Sequence, residues 1–544
     1  MTDGGLPGPG VVLGDGDIRR RFVVILLAVG LVVAGVAVAH GNDPREGWFR
    51  EVGESAGIDY ETTDEATDMV GGAFVSDYDR DGYPDILLTG GDAPGLYHNE
   101  GGEFERVTVL PAVDGPIKSA LWVDYDTDGW DDLLLLPRIG RPVLLENDAG
   151  SFRRIESGLD VRLDVGLGAT AADYNGDGCP DLFIYQSGDW RERVPKRATE
   201  GTTVVVGTDN GAPNYLFAGD CSSFERVTDA GIAGTRWSLA ASFADLTGDS
   251  RPDIHVANDF NRDVVYRNRG NGSFERIDLP NSNHHGMASA AADVAGGDEL
   301  DVFVTNVHFD EPETVRDVRG GLGVSNRGNN LFVFDDGRFT DRAGTLGVRS
   351  GGWGWAGTFA DFDNDGDRDL VHVTKDYLRD DEAGLAPVHT RPAFYERTDE
   401  EFVRRDADRL GFDASSGRGL AVLDYDVDGD LDLLVTDVIG RFKLYENTRG
   451  GRSLVVYVQP APDGPALGAV VYVTTTDGTT DDRTVTARSN FLSQNQRSGH
   501  FGLDGHAAKR VRVVWPDGHE VIIEGIQSRK RIGIRYDGTV DSRG

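Results

Sequence analysis

Positive charge is scarce in this sequence. Its 54 lysines and arginines face 92 aspartates and glutamates, for a formal net charge of -38, and only six of the basic residues are lysine. A surface of that sign repels a phosphate backbone, so nucleic acid is excluded as a partner. It suits a very salty medium, where a Debye length of ~3 Å at 1 M screens self-repulsion, and points to a salt-loving source. Cysteine is nearly absent: Cys179 and Cys221 are the only two. There is no P-loop, no dinucleotide fingerprint, no GxSxG and no HExxH, so no familiar motif announces a reaction. Long apolar runs are missing too, apart from Phe22 to Ala39.

That one run follows Arg19, Arg20 and Arg21 and ends on the small residues Ala37-Val38-Ala39. A basic stretch before an apolar one is an export signal, either cleaved after Ala39 or kept as a membrane anchor over residues 18–39. Either way the arginines stay inside and everything after His40 is exported. Residues 1–17 read as a cytoplasmic or disordered N-terminus. Export also permits a disulfide between Cys179 and Cys221.

What the chain has in abundance is glycine, 73 residues, and aspartate arranged around it. In DYDRDGYPD the acids Asp77, Asp79, Asp81 and Asp85 occupy positions 1, 3, 5 and 9, with Gly82 at the turn and the Tyr83 carbonyl at position 7. A hard cation takes about six to eight oxygen ligands, and a tight reversal aims alternate side chains at one point. The loop recurs as Asp124, Asp126, Asp128, Trp130 and Asp132, and as Asp173, Asn175, Asp177, Cys179 and Asp181. Further on come Asp361, Asp363, Asp365, Asp367 and Asp369, then Asp424, Asp426, Asp428, Asp430 and Asp432. A sixth copy keeps Asp245, Asp249 and Asp253 but has Thr247 and Ser250 at the third and sixth positions. A seventh keeps only Asp293 and Asp301 in register. An EF-hand is excluded, because position 12 of the first loop is Leu88, inside an apolar strand. Acids placed only for salt tolerance would be scattered rather than held at fixed offsets. The spacing predicts about five or six calcium ions with a structural role, screening carboxylates that otherwise repel one another.

Each loop sits in a longer repeat: a small-residue strand, the loop, an apolar strand, a strand with aromatic and Asn residues, and a Phe-led strand. The last repeat lacks its Phe-led strand, while Phe49 offers one at the start. Seven units of four strands predict an all-β, seven-bladed β-propeller over residues 48–449, closed by its N-terminal strand. All acidic loops then lie on one face, with Cys179 and Cys221 near each other on that face. Long insertions at 187–213, 307–329 and 376–392 rise from the other face, where binding is expected. From residue 450 to 537 a different pattern of short strands predicts a small β-sandwich or barrel, followed by a tail over 538–544.

The repeats resemble the FG-GAP/VCBS calcium-binding repeats of integrin-α-type propellers. The segment LGAVVYV…SNFLSQNQRSGHFGLDG…VRVVWPDG resembles the ASPIC/UnbV domain. The pair in this order is similar to the cartilage acidic protein family. That resemblance implies a propeller, calcium in the loops and an extracellular or surface location, and it carries no agreed reaction.

Lesser candidates are His284 and His285 as metal ligands or packing groups, and Trp353 and Trp355 as core, channel lining or a sugar platform. Asn271 opens a glycosylation sequon, and His500 belongs to the ASPIC-type signature without a nucleophile beside it. The expected function is a calcium-stabilised binding, adhesion or scaffold protein at the cell surface or outside it, not an enzyme. Its partner is a surface protein or polysaccharide, with membrane contact only through residues 18–39. The alternative is a polysaccharide lyase or hydrolase working in the propeller's central pocket.

Overall fold

The computed structural model describes residues 47–542, except 63–70, 189–208, 309–326, 438–441, 527–529 and breaks of one or two residues. The segment 18–39, and with it the question of anchor or cleaved signal, lies outside the described residues. Among the described residues there is no helix, so none is long and apolar enough to cross a membrane. The protein is all β.

Seven sheets each carry four antiparallel strands in an up-and-down order. Their innermost strands are Ala73–Ser76, Ile117–Val123, Gly166–Ala172, Trp237–Ala244, Ala290–Ala292, Gly354–Ala360 and Gly417–Leu423. They are rich in Ala, Gly, Ser and Thr because they crowd together, and nearly every residue in them is buried. Each touches the next, and the last touches the first, so the seven sheets form a closed ring. Each second strand begins on the ninth residue of an acidic loop, as in Asp85–Leu88, Asp132–Pro137 and Asp432–Asp437.

Closure uses the two ends of the propeller sequence. Phe49–Glu51 runs antiparallel to Phe442–Asn447, with Phe49 opposite Asn447. The Phe49 ring packs on Phe362, Phe394 and Phe412 at centroid distances of 5.8 to 5.9 Å. The seventh sheet therefore borrows its outer strand from the start of the chain, as the count of Phe-led strands predicts.

After Asn447 the chain builds two further four-stranded sheets. One holds Gly499–Gly502, Ser453–Val458, Arg531–Ile534 and Val540–Ser542, so the stretch expected as a tail from 538 supplies an edge strand paired with Arg531–Ile534; the other holds Thr480–Thr484, Val470–Thr475, Ala508–Val514 and Glu520–Glu524. Their alternating apolar residues, among them Leu454, Val456, Val471, Val511, Trp515 and Ile532, form one shared core, which makes this a sandwich.

One stretch of the sandwich leaves it and enters the propeller. Between Ala487 and Gln496 the chain meets the innermost strand of every blade. Ser493–Gln494 pairs in parallel with Ala73 and Phe74, and the Gln494 side chain brackets the backbone N–H and C=O of Trp122. The Ala487 carbonyl accepts from Ala171, and Arg488 donates to the carbonyls of Phe243 and Ala291. Asn490 donates to the Gly357 carbonyl, while Asn495 accepts from Val422. Only a segment on the axis reaches all seven blades. Phe491 and Leu492 are fully buried there, with Phe491 4.8 Å from Trp355. Trp355 is thus axial lining, and the aromatic surface it offers is taken up within the protein.

Candidate metal centres

The ninth-position carboxylates are the fixed points of the loops. Asp85 accepts the Tyr78 N–H at 3.2 Å on one oxygen and the Asn99 N–H at 2.9 Å on the other. Asp132 does the same with Tyr125 and Asn147 at 3.1 and 2.8 Å, and Asp432 with Tyr425 and Asn447 at 3.0 and 2.7 Å. Asp181, Asp253 and Asp369 follow the same rule. These residues tie the loop to the third strand before any ion is considered, and each oxygen keeps a further lone pair.

The third-strand asparagines then bolt neighbouring blades together. Asn147 donates at 2.8 Å to the Tyr78 carbonyl of the preceding blade and at 3.0 Å to Asp131. Asn99 reaches Tyr425, Asn268 reaches Tyr174 and Asn447 reaches Phe362, each at 2.8 Å. Asn147 is fully buried, so Asn147→Ala strands the buried Tyr78 carbonyl and the half-buried Asp131 carbonyl. We expect a loss of about 2–3 kcal/mol, read as a lowered denaturant midpoint at unchanged slope.

The other acids converge. Carboxylate oxygens of Asp77, Asp79 and Asp81 lie within 4.8 Å of one another, as do those of Asp124, Asp126 and Asp132, of Asp361, Asp363 and Asp365, and of Asp424, Asp426 and Asp432. At the first position of three loops one oxygen is buried without a hydrogen-bond partner among the described residues: Asp124 Oδ1, Asp361 Oδ1 and Asp424 Oδ2. Their other oxygens accept the glycine amide of the turn, from Gly129, Gly366 and Gly429. A buried carboxylate oxygen facing two more carboxylates is unfavourable in isolation, and a hard divalent cation satisfies it. Burial pushes Asp124, Asp361 and Asp424 up to about 7, against the nearby guanidinium groups of Arg497, Arg483 and Arg531 and with help from the neighbouring acids, and it pushes Asp85 and Asp132 up to about 9.

The remaining loops are built differently. Asp173 spends one oxygen on the amides of Gly176 and Asp177 and the other on Gly178. Asp245 likewise accepts from Thr247, Asp249 and Ser250, and Asp249 is paired with Arg251 and Arg267. In the most divergent copy the Arg368 guanidinium donates at 3.0 Å to the Asp293 carbonyl. In the loops at Asp173 and Asp245, backbone amides engage both oxygens of the first carboxylate, and two arginines pair with Asp249.

The spacing argument misses one class of residue. The side chain before the third-strand asparagine stands over the loop: His98 Nδ1 is 3.2 Å from Asp79 and 3.3 Å from Asp85. The same register carries Glu146 and Glu446, which accept from Tyr125 and Tyr425 and add to the charge on Asp126 and Asp426. Glu396 does so for Asp363. In the loop paired with arginine this register holds Arg267 instead. The signal was available, since these positions read YHN, LEN, YRN and YEN in the sequence.

Cys179 and Cys221 form a disulfide across the loop face, with Cα atoms 5.1 Å apart. That face is not free. Ser453 Oγ and His500 Nε2 both donate to the Gly429 carbonyl, at 2.6 and 3.0 Å, and Asp504 N donates to Asn364 O at 2.9 Å. The C-terminal sandwich is seated on the loops, and His500 is part of the seat. On the other face, 376–392 includes a hairpin of Tyr377–Asp381 and Gly384–Val388, while most of the other two insertions lies outside the described residues. His284 also lies outside them; His285 pairs with Asp259 at 2.8 Å and packs against Phe260. Asn271 is exposed and accepts from Ser273 within its turn. Trp353 lies 5.5 Å from the Lys375 ammonium.

Comparison with known proteins agrees with this geometry. The FG-GAP-like repeat family matches residues 77–135, 124–184 and 245–304, and the ASPIC and UnbV family matches 459–540. The chain carries FG-GAP-like repeats and an ASPIC and UnbV domain. The chain aligns with cartilage acidic protein 1 of Homo sapiens at 23% identity, over 73% of this chain and 68% of that protein. The Xenopus tropicalis protein of the same name is 23% identical over 82% and 70%. The chain spans 55% of the Mus musculus protein. Among solved structures, an Agrocybe aegerita lectin described as recognising non-reducing terminal N-acetylglucosamine covers 70% of this FG-GAP chain and 91% of its own, at a TM-score of 0.42 and 15% identity. YjhT covers 64% and 99%, at 0.34 and 11%.

Proposed function

We propose that this protein is an exported, calcium-stabilised scaffold that binds a surface protein or polysaccharide through the face opposite its acidic loops. The observation carrying the calcium reading is the set of buried, unpartnered oxygens on Asp124, Asp361 and Asp424, each facing further loop carboxylates. Four loops, those beginning at Asp77, Asp124, Asp361 and Asp424, would hold the ions, with Glu146, Glu396, Glu446 and His98 beside them. This narrows the five or six ions expected from spacing, because the loops at Asp173 and Asp245 satisfy their first carboxylate with their own backbone. Calcium supplies charge compensation here, and the residues around it do the rest: they fix the turns that join strand to strand.

The axis argues against a central catalytic pocket, since Phe491, Leu492 and their neighbours fill it. Export is supported by the arginines before the apolar run, and a matrix setting by relatives named for cartilage and acidity. Elemental analysis after dialysis should find about four calcium ions per chain, and Asp124→Asn should remove one. Incubation with acidic and neutral polysaccharides should release no new reducing or unsaturated ends. Zero bound calcium, or chain cleavage of a glycan, would sink the proposal.

A further inference from the structure

Beside the axial segment, between the propeller and the sandwich, lies a cavity of about 210 Å³. It is lined by Arg368, Arg483, Arg488 and Arg497, by the hydroxyls of Thr484, Thr486 and Ser498, and by the carboxylates of Asp361 and Asp482, which lie in the field of Arg483 and, for Asp482, of Arg368. Four guanidinium groups around one small space are unexpected in a chain of net charge -38. Three of them are compensated: Arg368 and Arg483 pair with Asp481, and Arg497 pairs with Asp131.

Arg488 differs. It is half-buried and lines the cavity. Its Nε donates at 2.9 Å to Phe243 O and an Nη at 3.0 Å to Ala291 O. Those carbonyls satisfy donors without cancelling the charge, and among the described residues Arg488 forms no ion pair. The Arg368 guanidinium is close enough to add repulsion, and burial with that repulsion brings Arg488 down to about 10, still charged at neutral pH. A desolvated cation beside a second cation calls for a counter-charge. The planar fork of a guanidinium matches a carboxylate or a tetrahedral oxyanion, and hydroxyl donors line the same cavity.

We propose that this cavity binds one small oxyanion, a carboxylate or sulfate group, on Arg488. The site borders the acidic loop that begins at Asp361, whose carboxylate lies on its wall, and it joins the two domains through the segment that fills the axis. Its size admits a single acidic group or one acidic sugar residue rather than a chain.

The test is equilibrium dialysis of the calcium-saturated protein against selenate at fixed ionic strength, read by elemental analysis. We expect saturable uptake of one selenate per chain. Displacement by sulfate but not acetate would assign a tetrahedral anion, and displacement by acetate or glucuronate a carboxylate. Arg488→Gln should weaken uptake at least tenfold. Thr486→Glu, which adds a further carboxylate to the cavity wall, should abolish uptake while preserving the melt, and it decides the matter if Arg488→Gln does not fold. No saturable uptake by the unaltered protein, or undiminished uptake by Thr486→Glu, overturns the proposal.

Discussion

Chelation should lower the melting temperature of this protein by roughly 10 °C at pH 8. A ligand bound only to the folded state stabilises it by RT ln(1 + [L]/Kd), about 2.7 kcal/mol per site at a hundredfold excess. Four independent loops then contribute on the order of 10 kcal/mol. With an unfolding entropy of about 2.1 cal/mol/K per residue, a chain of about 500 ordered residues loses about 1 kcal/mol per degree, which gives the stated shift. The effect should depend on pH in a definite direction. Without calcium, burial holds Asp124, Asp361 and Asp424 at about 7 and Asp85 and Asp132 at about 9 in the folded state. In the unfolded chain they return to about 3.9. Raised folded values mean that the native state holds its protons more tightly. That contribution is full below about pH 4 and is lost as pH rises toward 9. The calcium-free protein should therefore become less stable across that window. Calcium competes with those protons, so the gap between calcium and chelator melts should be small at pH 5 and widest near pH 9. Equal melts with and without calcium at pH 8 would show that the acids serve salt tolerance alone.

The sequence made the propeller legible because its signals are periodic. Seven acidic loops fix where each first strand ends and each second begins, and the missing Phe-led strand after Asn447 points directly to Phe49. The loops' chemistry was legible in part. Alternation around glycine marks Asp124 or Asp424 as a ligand type, but nothing in the spacing shows that Asp173 closes on its own amides. Nor does it show that Asp85 and its equivalents are already engaged by two backbone N–H groups. One of those two groups, the Asn99 N–H, lies on the third strand, outside the loop itself. Least legible was the axis. SNFLSQNQRSGH has no helical or strand period and reads as a polar loop. Its asparagines and glutamines are polar because they must satisfy inner-strand backbone groups that no other strand can reach.

That axial segment makes the C-terminal domain part of the propeller's core, and ending the chain after Arg449 should abolish its cooperative fold. Removing residues 450–544 uncovers Trp355 and takes the partner from the Trp122 backbone, the Ala73 and Ala171 amides and the Val422 and Asp424 amides. It also removes the groups seated on Gly429 and Asn364. Water entering the opened channel can replace hydrogen bonds but not the packing of Phe491 and Leu492. A narrower change separates the axial contact from loss of the whole domain. Phe491→Ala in the full chain deletes a fully buried ring and should cost about 3–5 kcal/mol, since the rigid inner strands cannot collapse into the space. Gln494→Ala leaves the Trp122 N–H and C=O without partners and should cost about 2–3 kcal/mol by a different route. Calorimetry distinguishes the alternatives. A single transition that moves down for both variants means propeller and sandwich melt as one unit. Two transitions, with the propeller's unmoved by Phe491→Ala or by truncation, would mean that the ring of inner strands is self-sufficient and the axial segment an ornament upon it.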